Sequence, residues 1–359
     1  MFIANSSVKI MGDMDEALSE DVRANISKWL FFMCAMVFTM VMIGGLTRLT
    51  HSGLSMVVWR PVTGWLPPLN LQEWQETFGL YRETPEYLLL NFGMTLSEFK
   101  SIYWLEYIHR LWGRLIGLAF VLPFGYFLIR RQLNKSLIIK LLFVFFLGAS
   151  QGFLGWYMVK SGLVEKPDVS QYRLTLHLGM TILIYICLFW LALHIRKPLQ
   201  LVNPITWRPV PVMGLIVITF ICLTMIAGSL VAGLKAGFTY NTFPLMDGKI
   251  IPDGLWILSP FYLNFFENIT MVQFQHRLLG YGSVIAVTML WFNFFRNSNS
   301  YYSRKAAGIL VICILLQFLT GVVTLIYVVP ISLASFHQLM AFICLSVSIW
   351  VLFSARGQN

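Results

Sequence analysis

Charged side chains are scarce in this chain. Asp, Glu, Lys and Arg together make up only 12% of its 359 residues, whereas soluble domains carry about 25%. Hydrophobic residues reach 57% and aromatic residues 15%, which is far above the composition of a disordered chain. The composition therefore excludes a water-soluble enzyme and indicates a protein that folds in a lipid bilayer.

Cysteine is also sparse, and no two cysteines form a C-x-x-C pair. All five fall inside apolar runs rather than in polar loops. This pattern argues against a disulfide framework or a zinc site, and it favours packing of cysteine as a small hydrophobic side chain. The positions are Cys34, Cys187, Cys222, Cys313 and Cys344.

Features of a cleaved leader and of a nucleic-acid-binding protein are missing too. Residues 1–28 contain five acidic residues, whereas mitochondrial transit peptides are poor in acids. No A-x-A-like cleavage site follows the first apolar run, so we interpret that run as a retained membrane helix. The formal charge of +10 comes from basic residues at the ends of apolar runs rather than on one face, which predicts no nucleic-acid partner.

The apolar runs predict an all-α membrane protein with eight transmembrane helices, because a crossing needs about 20 apolar residues. The loops near 130–137, 196–210 and 295–305 contain basic residues but no Asp or Glu. The positive-inside rule therefore places both termini in the cytoplasm and the longest loop, about 47–103, outside. In that loop Thr95-x-x-Glu98 predicts a capping box at a helix start. The predicted spans are 29–46, 104–129, 138–158, 174–195, 211–231, 271–294, 306–328 and 331–353.

The two halves of the chain resemble each other. H-R-L-x-G begins at His109 and again at His276, and Q-x-x-x-G begins at Gln151 and again at Gln317. We predict two tandem four-helix bundles related by a pseudo-twofold axis along the membrane normal. The predicted divisions are a cytoplasmic tail at 1–28, an N-terminal bundle with the long loop at 29–200, and a C-terminal bundle at 201–359.

Four histidines lie in the first turns of the even-numbered spans, near the outer face: His109, His177, His276 and His337. Each could simply bond a neighbouring helix. Two imidazoles from facing helices can, however, approach the two faces of a porphyrin, whereas a zinc site needs three or four clustered ligands. The repeat thus predicts two heme pockets. Four arginines are candidate contacts for heme propionates, with snorkelling to the interface as the equal alternative: Arg48, Arg110, Arg114 and Arg277.

A carboxylate breaks the symmetry between the halves. Glu106 precedes His109 by three residues, and the equivalent residue before His276 is Gln273. A carboxylate beside a macrocycle can act as a base or stabilise developing positive charge. The alternative is a structural Glu that interacts with the helix dipole or pairs with Arg110 or Arg114. On the first interpretation, the N-terminal half carries out chemistry on a heme and the C-terminal half holds a permanent one.

Several motifs resemble those of the heme A synthase family, in the subgroup shared by proteobacteria and mitochondria. The matching stretches are G-G-L-T-R-L-T at 44–50, S-G-L-S-M at 52–56, P-V-T-G at 61–64, L-P-P-L-N at 66–70, E-Y-I-H-R at 106–110 and Q-H-R at 275–277. The cysteine pair that some bacterial members carry in the first outer loop is absent from this sequence.

The resemblance implies oxidation of the C8 methyl group of heme O to the formyl group of heme A for cytochrome oxidase, with oxygen from water. It implies that Glu106 assists catalysis, that His109 and His177 ligate the substrate heme, and that His276 and His337 ligate a cofactor heme b. It further implies a bacterial inner-membrane location and a membrane electron acceptor such as a quinone. Heme O synthase is a candidate partner, and the resemblance allows an oligomer.

Three other functions remain open at this point. A diheme b-type cytochrome that oxidises quinol needs the same four histidines but no lone carboxylate beside one pair. A transporter built from parallel repeats would use histidines as proton relays. A structural assembly factor would carry out no catalysis.

Overall fold

The computed structural model describes residues 18–59, 63–162, 169–196, 209–297 and 301–356. Across these residues the chain is helical, with a single isolated β-bridge between Met246 and Lys249. Eight helices are long and apolar enough to cross a membrane, as the sequence predicts. They are α1 (Glu20–Leu49), α2 (Leu96–Ile129), α3 (Lys135–Gly162), α4 (Gln171–Arg196), α5 (Pro209–Gly233), α6 (Ile269–Asn297), α7 (Tyr301–Ile326) and α8 (Ile331–Arg356).

Two helices begin earlier than hydropathy predicts, because capping residues rather than apolar residues fix their starts. Helix α1 starts at Glu20, inside the predicted tail, where the Ser19 hydroxyl accepts a hydrogen bond from the backbone N–H of Val22. Helix α2 starts at Leu96 behind the predicted capping box, in which the Glu98 carboxylate accepts the Thr95 backbone N–H at 2.8 Å.

Contacts between helices repeat from one half to the other. In the first half α1 contacts α2 and α4, and α3 contacts α2 and α4; in the second half α5, α6, α7 and α8 make the same set of contacts. The halves meet where α4 contacts α5 and α8, and where α1 contacts α8. Two tandem four-helix units would give this pattern. The pseudo-twofold axis and the domain boundaries stay predictions.

The centre of the molecule lies where the halves meet. The hydroxyl groups of Tyr185 on α4 and Ser346 on α8 lie 2.8 Å apart, and the Ser27 hydroxyl of α1 donates to the Ala192 carbonyl of α4 at 2.9 Å. Such side-chain bonds join helices inside a bilayer, where apolar contact alone gives little preference for protein over lipid.

The connections at 50–95 and 234–268 lie at the same end of the bundle, called here the long-loop end. The first contains two short helices, Leu71–Arg82 and Pro85–Leu89. An aromatic cluster joins them to the start of α2, and Trp74 lies edge-on to Tyr103 at 4.9 Å between ring centres. Aromatic pairs add about 0.5–1.5 kcal/mol each beyond burial, so the loop is packed onto α2. The cluster comprises Trp74, Tyr81, Tyr87, Phe99, Tyr103 and Tyr107.

Some predicted features lie outside the described residues. They are residues 1–17 of the tail, Pro61 and Val62 of the loop motif, Lys197 and Arg208 of a basic loop together with the boundary near 200, and residues 298–300.

Candidate functional site

Each of the four histidines lies against a glycine of the preceding helix. His109 on α2 faces Gly44 on α1, and a Cβ atom at Gly44 would lie 3.3 Å from its Nε2 atom. The other three glycines would place a Cβ 3.2, 3.1 and 2.7 Å from the imidazole Cε1 atoms of His177, His276 and His337, respectively. Glycine permits this close approach because it lacks a side chain. The three glycines are Gly155, Gly228 and Gly321.

One of the four histidines lies further from the start of its helix than the sequence predicts. His177 and His337 lie in the second turns of α4 and α8, and His276 lies in the third turn of α6. His109 lies in the fourth turn, because α2 begins at Leu96. The first-turn prediction is therefore wrong for His109, since the cap and the aromatic loop cluster extend this helix beyond its apolar run.

The imidazoles of the second half face each other. The ring centres of His276 and His337 lie 6.5 Å apart, and their planes are inclined by 86°. A metal ion held between two imidazole nitrogens, with bonds of about 2.0 Å and nitrogens about 1.1 Å from each ring centre, separates the centres by about 6.2 Å. The spacing of this pair therefore fits axial ligation of one heme iron.

In each second-half ring a hydrogen bond occupies Nδ1, so Nε2 is the nitrogen that can bind a metal. His276 Nδ1 lies 3.1 Å from the Thr224 carbonyl oxygen, which can only accept, so Nδ1 carries the proton. His337 Nδ1 lies 3.3 Å from the Thr320 hydroxyl, which already donates to the Gln317 carbonyl. In both rings Nε2 therefore keeps its lone pair. In His337 that lone pair faces the Gln317 side-chain amide nitrogen at 3.5 Å, a contact that a metal ion would replace. The Nδ1 bond fixes each ring, as in metal-ligating histidines generally.

The imidazoles of the first half are held less firmly. His109 and His177 lie close enough to interact electrostatically. Within the described residues, however, Nδ1 of His177 has no hydrogen-bond partner. Gln151, the repeat equivalent of Gln317, instead donates to the His177 backbone carbonyl at 3.0 Å and to the Thr181 hydroxyl at 2.7 Å. The His177 ring therefore lacks the Nδ1 hydrogen bond that both second-half rings have.

Glu106 is almost fully buried, with 2% of its surface exposed. Its Oε2 atom accepts the Ser55 hydroxyl at 2.7 Å and the Met56 backbone N–H at 2.8 Å. Its Oε1 atom accepts Arg110 Nε at 3.0 Å and Arg110 NH2 at 2.5 Å. The pairing with Arg110 that the sequence left open is therefore present, and a loop 50 residues away in sequence completes the shell.

The second half repeats this arrangement without the charge. Gln273 is equally buried, and its Nε2 atom donates to the Tyr240 carbonyl at 3.1 Å. Arg277, equivalent to Arg110, donates to the same carbonyl at 2.9 Å. In each half an arginine thus ties a connecting loop to the helix that carries the histidine, but only the first half places a carboxylate there.

Comparison with known proteins gives a consistent result. The COX15-CtaA family, described as cytochrome oxidase assembly protein, matches residues 27–349. This chain belongs to that family. It is 46% identical to a heme A synthase of Nitrosospira multiformis over 94% of this chain and 95% of the relative. Heme A synthases of Nitrosomonas eutropha and Wolbachia pipientis are 45% and 43% identical, over 91% and 93% of this chain and 92% and 93% of those relatives.

In this member of the COX15-CtaA family the four candidate propionate arginines bond other groups. Arg48 NH2 donates to the Ala232 carbonyl at 2.7 Å, and the guanidinium of Arg114 lies 5.8 Å from the centre of the Trp65 ring. Arg110 bonds Glu106 and the Met56 carbonyl, and Arg277 bonds the Tyr240 carbonyl. Contact with propionates stays a prediction for all four. Of the two remaining histidines, His51 is exposed and His194 is buried.

Sequence reasoning missed three parts of the site. Ser55 lies in the S-G-L-S-M motif, but nothing in the sequence indicates that it bonds Glu106. Thr224 and Thr320, which orient the second-half imidazoles, each lie within four residues of the glycine that cradles the same ring. A threonine directly before the repeated Gly321 could have identified Thr320, whereas Thr224 acts through its backbone carbonyl, which no side-chain pattern indicates.

Gly321→Ala is expected to lower heme content, because its Cβ would lie 2.7 Å from the His337 ring and displace it. Helix propensity favours Ala over Gly by about 1 kcal/mol, so a weaker helix would not explain the loss. Bound heme per protein in the purified chain is the measurement. Gly308→Ala on the same helix is the matched control, because its Cβ would meet nothing closer than 3.9 Å. Equal heme content in both variants would contradict the cradle.

Proposed function

We propose that this protein is a membrane oxidoreductase that converts heme O into heme A by oxidising the C8 methyl group to a formyl group. One observation carries the proposal beyond the family assignment. Both halves hold paired imidazoles against glycines, but only the first half adds a buried carboxylate three residues before its first histidine. Near-full-length similarity to proteins named heme A synthase supports the same reaction.

The two pockets have different roles in this proposal. His276 and His337 hold a resident heme b, because hydrogen bonds fix both rings and their spacing fits one iron. His109 and His177 ligate the iron of heme O, because rings held less firmly permit exchange of substrate for product. Heme b supplies one-electron redox chemistry between the substrate and a membrane electron acceptor such as a quinone.

Glu106 acts next to the substrate ring. Its bonds to Ser55, Met56 and Arg110 hold the carboxylate in one position on the helix face that carries His109. There it can take a proton from the substrate or stabilise positive charge that develops on the macrocycle. The Arg110 guanidinium places a positive charge beside the carboxylate.

The proposed location is the bacterial inner membrane, with both termini in the cytoplasm and the long-loop end outside. The four histidines then lie toward the outer face. Heme O reaches the first pocket from the lipid phase, in keeping with its farnesyl chain, and heme O synthase is the proposed supplier. The candidate propionate contacts of Arg48, Arg110, Arg114 and Arg277 belong to this proposal.

Extraction of pigment from membranes distinguishes this function from its main alternative. Cells that make heme O and express this chain are expected to yield formyl heme, identified by the mass of the extracted pigment. A quinol-oxidising diheme cytochrome would retain heme b and yield no formyl heme. Membranes without the chain serve as the control, and absence of heme A despite bound heme b would overturn the proposal.

A further inference from the structure

A second buried carboxylate, Glu86, is not used in the mechanism above. Glu86, in the loop helix Pro85–Leu89, has only 2% of its surface exposed. It lines a cavity of about 400 Å³ at the long-loop end, called here the Glu86 cavity. The lining is mainly polar or charged and comes from both halves of the chain: Thr50, His51, Glu86, Leu90, Asn91, Met94, Ile102 and Lys235.

Tyr81 lies beside the Glu86 cavity, because its hydrogen-bond partner Asn91 lines that cavity. The phenol of Tyr81 is fully buried and accepts a hydrogen bond from Asn91 Nδ2 at 2.7 Å. Burial raises the pKa of Tyr81 above its usual range, and the nearby carboxylates of Glu86 and Glu106 raise it further.

Hydroxyl groups occupy the space between the cavity and Glu106. Thr50 lines the cavity, and its hydroxyl lies 2.7 Å from that of Ser52. Ser55 donates either to the Ser52 carbonyl at 3.0 Å or to Glu106 at 2.7 Å. Ile102 lines the cavity one turn before Glu106, and its carbonyl lies 3.5 Å from the Ser55 hydroxyl. Polar groups thus continue from the cavity to the Glu106 carboxylate.

Exposure decreases along the same direction. His51 is exposed, Thr50 and Lys235 are partly buried, and Ser52, Ser55 and Glu86 are buried. The Glu86 cavity therefore includes the exposed His51, and two of its other lining residues, Thr50 and Ile102, contact Ser52 and Ser55. A solvent-facing end, a buried acid and nearby hydroxyl groups are parts that a path for protons requires.

The proposed reaction needs such a path. Oxidation of the methyl group follows R–CH3 + H2O → R–CHO + 4 H+ + 4 e−, with the electrons taken by the membrane acceptor. Glu106 can take one proton at a time and must release it before the next step. Its own exposure is too small for direct release to solvent.

We propose that the Glu86 cavity is the port through which water enters and protons leave the Glu106 site, with Glu86 as the proton acceptor inside it. This inference rests on the proposed function. Water in the cavity takes each proton from the Ser55–Glu106 side and passes it to the Glu86 carboxylate, from which it reaches solvent at His51.

The test compares Glu86→Gln with Glu83→Gln, an exposed neighbour on the same loop. We expect Glu86→Gln to slow heme A formation about tenfold or more and to accumulate the hydroxymethyl intermediate, with heme b content unchanged. Glu83→Gln should match the wild type. A normal rate in Glu86→Gln, with wild-type protein active, would overturn the port but leave the proposed function intact. Wild-type protein that forms no heme A would instead overturn the function.

A labelling experiment without turnover tests the port separately. Thr50→Cys is expected to react with a membrane-impermeant maleimide, whereas Thr39→Cys, three turns earlier on α1, should not. Labelling is scored against the wild-type chain with its five native cysteines. An unreactive Thr50→Cys would overturn the proposal. Because the labelling needs no turnover, it still tests the port if Glu86→Gln loses heme b.

Discussion

Glu106→Gln is expected to lower formyl heme production by about a hundredfold or more, the scale of a lost general base. Glutamine keeps the volume and the acceptor for the Ser55 and Met56 hydrogen bonds, but it cannot take a proton or carry charge. The four iron ligands are untouched, so heme b should remain bound. The measurement is heme A and heme b content in extracts from cells supplied with heme O.

The matched control for this variant is Glu98→Gln on the same helix. Glu98 is exposed and closes the capping box with Thr95, a role that glutamine also fills. We expect normal heme A formation from this variant. Wild-type levels of heme A from Glu106→Gln would show that the buried carboxylate is structural, as its ion pair with Arg110 alone would permit.

Replacement of His276 or His337 by alanine is expected to remove most of the resident heme b. The two ring centres lie 6.5 Å apart, and each ring has a fixed Nδ1 bond, so one iron needs both ligands. Loss of either should eliminate the low-spin bis-imidazole absorption spectrum. Because each substitution also leaves space against Gly228 or Gly321, added imidazole should restore part of the spectrum.

His109→Ala tests whether the halves act separately. It removes a ligand from the first pair only, so heme b should persist while heme A formation stops. If His109→Ala lost heme b, or if His276→Ala and His337→Ala both retained it, the assignment of the resident heme to the second half would be wrong.

The spans were predictable because a helix that faces lipid needs a long apolar sequence whatever its neighbours are. The starts of α1 and α2 were less predictable. Their first turns are polar and are fixed by the caps Ser19 and Thr95. For α2 the capping box was visible in the sequence, yet the hydropathy limit of 104 was still eight residues late, and His109 was placed too near the helix end.

The repeat made the candidate ligands visible, since H-R-L-x-G and Q-x-x-x-G mark equivalent positions in both halves. It did not reveal what the glycines do. Only the packing of neighbouring helices shows that Gly155 and Gly321 lie against the His177 and His337 rings. Likewise, spacing along α2 allowed both Arg110 and Arg114 as partners for Glu106, and the structure places Arg110 there.

The sequence by itself determined the membrane class, the eight helices, the paired histidines and the lone acid, because each follows from composition or from spacing along one helix. The tertiary structure decided which rings face each other, which carbonyl and hydroxyl groups orient them, and how Ser55 comes to bond Glu106. Those relations join residues far apart in the chain, and they depend on how helices and loops pack, which no local pattern encodes.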